Sequence, residues 1–147
     1  MRMLVSACLF ILTTLPAGAD YGRADAPRDI HPLELGELFC AARLAGDMAP
    51  LERYFAPKLE RVLTAADDPA AVPWQGRDAR PTGCSAEILN GFDDTIGVLV
   101  AVSYVADGTR WTDVLNLERT PDSWWLNNVF YEGGGNLRFR LFEQQAQ

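Results

Sequence analysis

Residues 96–118, IGVLVAVSYVADGTRWTDVLNLE, decide how this chain folds. Two runs rich in Val, Tyr and Trp, Ile96 to Val105 and Arg110 to Glu118, flank the dipeptide Asp107-Gly108. A two-residue hairpin turn needs positive φ at both central positions, which Asp and Gly tolerate. With those two residues as the loop, Ala106 faces Thr109, Tyr104 faces Trp111, Val102 faces Asp113, Val100 faces Leu115 and Val98 faces Leu117. Side chains alternate across a strand, so Tyr104, Trp111, Asp113 and their neighbours at every second position share one face of the sheet. Every member of that face except Asp113 is apolar or aromatic, and it is expected to meet the helices. The other face mixes Ala101, Ser103, Thr112, Asn116 and Glu118 with Leu99 and Val114.

Further along, residues 120–123 read as a four-residue loop before a third long strand, Trp124 to Tyr131. That loop extends the apolar face with Trp124, Leu126, Asn128 and Phe130, setting Phe130 opposite Asp113 and Asn128 diagonal to it. A loop of three or five residues puts Asn127 there instead. A weaker strand is expected at Ala86 to Leu89. Beyond Gly133-Gly134-Gly135, residues 136–142 fit a strand, because Leu137, Phe139 and Leu141 alternate, or a short helix, because Leu137 and Leu141 are four apart.

Towards the N-terminus the period changes from two to three and four. Leu35, Leu38, Phe39 and Ala42 mark an amphipathic helix that opens at Pro32 and ends before Gly46. Asp47 is a credible cap for a short helix through Leu51, Tyr54 and Phe55, with Pro50 in its first turn. Leu59, Val62, Leu63 and Ala66 form a third stripe, closed by Asp67-Asp68-Pro69. Residues 67–84 then read as a long surface connection in which Trp74 is the aromatic exception, expected to fold back on the core.

The 147-residue chain is 48% hydrophobic and 22% charged, which suits one globular domain and excludes a disordered class. Residues 1–19 read as a secretory signal peptide: Met1-Arg2, an apolar run from Met3 to Leu12, and a small-x-small ending at Ala19. Val5-Ser6-Ala7-Cys8 resembles a lipoprotein processing box but leaves too few residues before the cut for a charged start and an apolar core. Residues 20–31 are a loose polar lead, and 32–147 form a single domain. Cleavage leaves 12 basic and 20 acidic residues, a net charge of −8, which disfavours nucleic acid and anionic lipid and favours basic partners. It also leaves two cysteines, Cys40 and Cys84, which in an oxidising compartment form one disulfide. With one histidine and no CxxC or HExxH, no metal or other cofactor is expected.

Asp113 is the residue that needs a reason. A carboxylate taken out of water costs several kcal/mol unless it is hydrogen-bonded or shifts its pKa. One account is a pocket between helices and sheet, with Asp113 as general base or polar anchor, Asn128 as its partner, and Tyr104, Trp111 and Trp124 as aromatic walls. The plainer account is a structural carboxylate bonded to Asn128, to a helix terminus or to a backbone N–H.

The helix followed by GDMAPLERYFAPKLERVL (46–63), the long loop, and VAVSYVADGTRWTDVLNLERTPDSWWLNNVFYEGGGNLRFRL (100–141) resemble small exported bacterial domains of the nuclear-transport-factor-two-like superfamily. The resemblance spans residues 32–142 and rests on W-x-D-x-L-x-L-x-R, a Trp strand and a terminal Leu-Arg. It implies a cone-shaped α+β fold. That fold hosts ketosteroid isomerase, scytalone dehydratase and polyketide cyclases alongside many non-catalytic members, so it fixes no activity. Under isomerase chemistry Asp113 is the base, and no second acid is evident on its face.

Other residues carry less. His31 is expected to be solvated or capping, and Ser85 and Ser103 lack a nucleophile-elbow context. Asp67-Asp68 and Asp93-Asp94 read as solvated turns, Gly133-Gly135 as a turn without a phosphate-loop lysine, and Arg138 and Arg140 as surface charges. Trp124-Trp125 puts one indole on each face, and an exposed aromatic patch there implies a partner or a homodimer.

The expectation is an α+β domain with two or three N-terminal helices on a curved antiparallel sheet of three to five strands, exported to the periplasm or secreted. Its function is expected to be non-catalytic binding of a small apolar ligand, or of a protein through a sheet face. The alternatives are an isomerase or dehydratase using Asp113, and an acidic inhibitor or immunity protein against a basic enzyme.

Overall fold

A computed structural model describes residues 29–90, 97–121 and 123–146. The expected signal segment, the lead up to residue 28, Cys8 and Asp93-Asp94 lie outside the described residues. Helix α1 spans Pro32–Ala45, a 3-10 helix Ala49–Tyr54, α2 Pro57–Thr64 and a short 3-10 turn Pro69–Ala71. Strands β1 (Gly83–Ile88), β2 (Gly97–Ala106), β3 (Thr109–Arg119) and β4 (Trp124–Phe130) follow, and helix α3 (Leu137–Gln145) closes the chain. The strands form one antiparallel sheet in the order β1-β2-β3-β4.

Local chemistry explains the helix ends. His31 caps α1 in a capping box: its Nδ1 accepts from Leu33 N while Glu34 accepts from His31 N, with Pro32 at the first position. Gly46 ends the helix in the left-handed region at φ 72°. The stripe Leu35, Phe39, Cys40 and Ala42 is buried, and α1 comes so close to the sheet that a Cβ on Gly36 would lie 2.7 Å from Val100 Cγ1 and 2.9 Å from Ala86 Cβ. Cys40 and Cys84 form the expected disulfide, Cα–Cα 5.4 Å, fastening α1 to β1. The second helix is a 3-10 segment, with Asp47 Oδ1 accepting from Ala49 N. The third ends at Thr64, short of Ala66.

The β2–β3 register is as counted from Asp107-Gly108, whose φ angles are 49° and 76°. Strand β1 begins three residues before the expected Ala86 and pairs Cys84 with Tyr104. Residues 120–123 connect β3 to β4 as expected, with Arg119 opposite Trp124 and Leu117 opposite Leu126. The pairing then shifts: Asn116 faces Asn128 and Val114 faces Phe130, so Asn127 is the extra residue of a β-bulge. The bulge reverses the alternation beyond it. Phe130, expected inside opposite Asp113, turns outward and is 38% exposed, while Val129 and Tyr131 are buried.

The tail is a helix. Asn136 caps it by accepting from Phe139 N, and Leu137 and Leu141 enter the core one turn apart. Trp124 and Trp125 are both buried. Trp125 donates its indole N–H to Thr120 Oγ1 at 2.8 Å, so the tight loop beside it accounts for its one polar atom.

Candidate functional site

Tyr104 and Trp111 stack at 5.1 Å between ring centres, inclined by 25°, on the inner face of β2 and β3. Two residues further along β3, Asp113 is fully buried. Its Oδ2 accepts from Gly76 N at 2.8 Å and its Oδ1 from Glu132 N at 3.1 Å. Burial pushes its pKa above the ordinary carboxylate value; those two N–H groups oppose the shift, nearby Glu132 adds to it and Arg140 counters it. The bonds are backbone bonds, one to the long connection and one to the turn after β4.

That connection is a strap drawn across the inner face. Trp74 stacks on Phe55 at 5.4 Å and meets Phe39 edge-on at 6.4 Å. The Tyr131 hydroxyl donates to Pro73 O. Gln75, also buried, accepts from Nε and Nη2 of Arg43 at 3.2 and 2.9 Å and donates to the carbonyls of Arg77 and Ala79. Glycine is required at 76, where a Cβ would stand 2.8 Å from Asp113 Oδ1 and 2.9 Å from Tyr131 Cβ. Asp113, Gln75 and Trp74 thus pin successive residues of the strap to sheet and helix.

Of the residues expected around a pocket, Tyr104, Trp111 and Asp113 come together. Trp124 lies about 20 Å beyond Asp113 along the β3–β4 ladder, beneath the Arg119 guanidinium at 5.2 Å. Asn128 does not reach Asp113: its Oδ1 accepts from Val129 N and Arg138 N, and its amide donates to Asn136, orienting α3. Arg138 and Arg140 diverge on a helix. Arg138 approaches Asn127 Oδ1 at 3.4 Å, whereas Arg140 lies over the Tyr131 ring at 4.3 Å.

An open cleft of about 1150 Å³ lies on the other side of the strap. Its walls come from the C-terminal end of α1, the 3-10 helix, α2 and the strap, with Phe55, Leu63, Val72 and Trp74 as apolar surface and Arg43, Arg77, Arg80 and Arg140 among its charged groups. None of the five expected pocket residues lines it.

No family model, curated protein or solved structure matches the chain. The geometry alone therefore bears on function. Among the described residues no group of three or more His, Cys, Asp or Glu is placed to hold a metal ion, and no helix is long and apolar enough to cross a membrane.

The strap residues Gln75 and Gly76, together with Arg43 and Tyr131, escaped sequence reasoning. A signal was present in Trp74-Gln75-Gly76: an aromatic followed by an amide and a glycine inside a polar loop is where a connection both inserts into a core and approaches another group closely.

Two polar atoms of the buried cluster have no hydrogen-bond partner: Tyr104 Oη and Trp111 Nε1. Burial and the Asp113 charge push the Tyr104 phenol well above its ordinary pKa, with Arg43 opposing, so it stays protonated as a donor. Desolvation lowers the pKa of the half-buried Arg43, and Tyr104 and Asp113 oppose the shift.

Proposed function

We propose that the chain is an exported, non-catalytic binding module of the cone-shaped, nuclear-transport-factor-two-like kind, taking a small amphiphilic ligand in the cleft bounded by Arg43, Val72, Trp74 and Arg140. One observation carries this: both carboxylate oxygens of Asp113 are engaged by backbone N–H groups that hold the strap and the β4 turn, while the open volume lies beyond the strap. A general base must come within hydrogen-bond reach of a substrate proton, and Asp113 is fully buried and does not line the open volume. A binding cleft needs apolar walls with a few convergent polar groups, at a volume of roughly 300–1,000 Å³, and this cleft is of that order. Export is supported by the signal-like sequence of residues 1–19 and by the disulfide, which persists in oxidising compartments.

Amide chemical-shift mapping with a panel of small amphiphiles tests the assignment. Shifts are expected at Arg43, Val72, Trp74 and Arg140. Shifts confined to the outward sheet face around Ser103 and Thr112 overturn it in favour of docking through the sheet.

A further inference from the structure

We infer that the inner end of this cleft is a monocarboxylate site, in which Arg43 and the Tyr104 hydroxyl hold the anionic head of a ligand whose apolar body lies against Trp74 and Val72. The inference rests on the cleft being the binding site and adds the chemistry of what enters it.

Tyr104 is fully buried, yet its hydroxyl has no partner, and the stacked Trp111 has an unpartnered indole N–H. A buried polar atom left without a partner is costly, so native proteins rarely keep one without a reason. Trp111 Nε1 can only donate, and the protonated phenol is a donor without an acceptor, so what is missing is an acceptor.

Guanidinium groups lie close to these donors. Three guanidinium groups surround the cluster: Arg43, Arg77 at 6.0 Å over the Trp111 ring, and Arg140 at 4.3 Å over the Tyr131 ring. Two carboxylates answer them, Asp113 and Glu132, the latter 3.5 Å from Arg77. The cleft as a whole is charge-balanced, its four arginines matched by Asp47, Glu52, Glu60 and Asp78, so the attraction for an anionic head comes from the Arg43 guanidinium itself and not from a net surplus of charge.

The Arg43 fork already holds a surrogate. Gln75 Oε1 takes both Nε and Nη2, the pair of donors that a carboxylate engages bidentately. Gln75 belongs to the strap, and Arg43 also lines the open cleft, so an acid arriving through the cleft meets Arg43 first and replaces a neutral acceptor with a charged one. In the proposed complex Gln75 moves aside, and the Tyr104 hydroxyl, which does not line the cleft in the free protein, donates to the second carboxylate oxygen.

The test compares 4-phenylbutyrate with its neutral amide on the intact, oxidised protein, by amide-shift titration of wild type and Tyr104→Phe. The acid is expected to shift cleft resonances and to bind at least tenfold more tightly than the amide. Tyr104→Phe is expected to weaken the acid about tenfold while leaving the thermal midpoint of the free protein unchanged or raised, because it deletes a hydroxyl that has no partner there. Equal binding of acid and amide in the cleft overturns the carboxylate assignment and leaves the cleft reading standing. A Tyr104→Phe variant that melts lower but binds the acid as before also overturns it, and identifies the missing acceptor as an internal water. If neither compound shifts a cleft resonance, the inference falls, and the amphiphile panel decides separately on the cleft.

Discussion

The Gly76 amide nitrogen lies 2.8 Å from Asp113 Oδ2, joining residues 37 positions apart in sequence. Through that contact the strap is fixed to the centre of β3, and the side chain at 76 must be a hydrogen atom. Gly76→Ala places a methyl group 2.8 Å from Asp113 Oδ1 and is expected to cost about 1–3 kcal/mol as an overpacking substitution. Urea unfolding measures the loss. Gly133→Ala is the control: no atom lies within 4 Å of its Cβ position, so its midpoint should stay with wild type.

Asp113 also sets a pH signature. Its folded pKa lies above its ordinary value of 3.8, so the folded state holds a proton that the unfolded state has lost in the interval between them. Stability from this residue is therefore fullest below 3.8 and falls as pH rises through that interval. Asp113→Asn removes the titration. The difference in melting temperature between wild type and Asp113→Asn should shrink or turn negative as pH is raised from 3; a difference that grows in wild type's favour contradicts the assigned direction.

The Thr120 hydroxyl accepts from Trp125 Nε1 and from Ser123 N, and donates to Ser123 O. Thr120→Val keeps the shape but leaves a buried indole N–H without its acceptor, an expected loss of about 1–3 kcal/mol. Thermal melts measure it, and Thr120→Ser, which retains the oxygen, should recover most of the loss.

Removing the crosslink has the largest expected effect. Cys40 and Cys84 are 44 residues apart, and joining them lowers the entropy of the unfolded chain by about 4 kcal/mol on the loop-closure relation. The Cys40→Ala, Cys84→Ala double variant should lose stability of that order in denaturant titration, and wild type under reductant should match it.

Legibility followed how locally each feature is determined. Asp107-Gly108 admits few turn types, so the whole β2–β3 pairing could be counted from it, and with it the shared face of Tyr104, Trp111 and Asp113. The bulge at Asn127 could not be counted. Two adjacent asparagines look alike in an alternating pattern, and the choice between them was made by α3, whose N-terminus takes Asn128 as an acceptor. Phe130 was misplaced for the same reason. The partners of Asp113 were hidden because they are backbone amides, which no side-chain pattern announces. Cleft residues such as Arg43 acquire meaning only when the strap arrives, a contact set by tertiary folding.

Every residue that lines the cleft except Arg140 lies between the two half-cystines. The cavity wall is thus almost entirely one covalent ring, hung from α1 at one side and β1 at the other. A protease nick within residues 69–81 therefore leaves a molecule of undiminished length on a non-reducing gel and two pieces only after thiol treatment. The ring resists being shed, and cleavage alone cannot carry away the surface that meets a ligand.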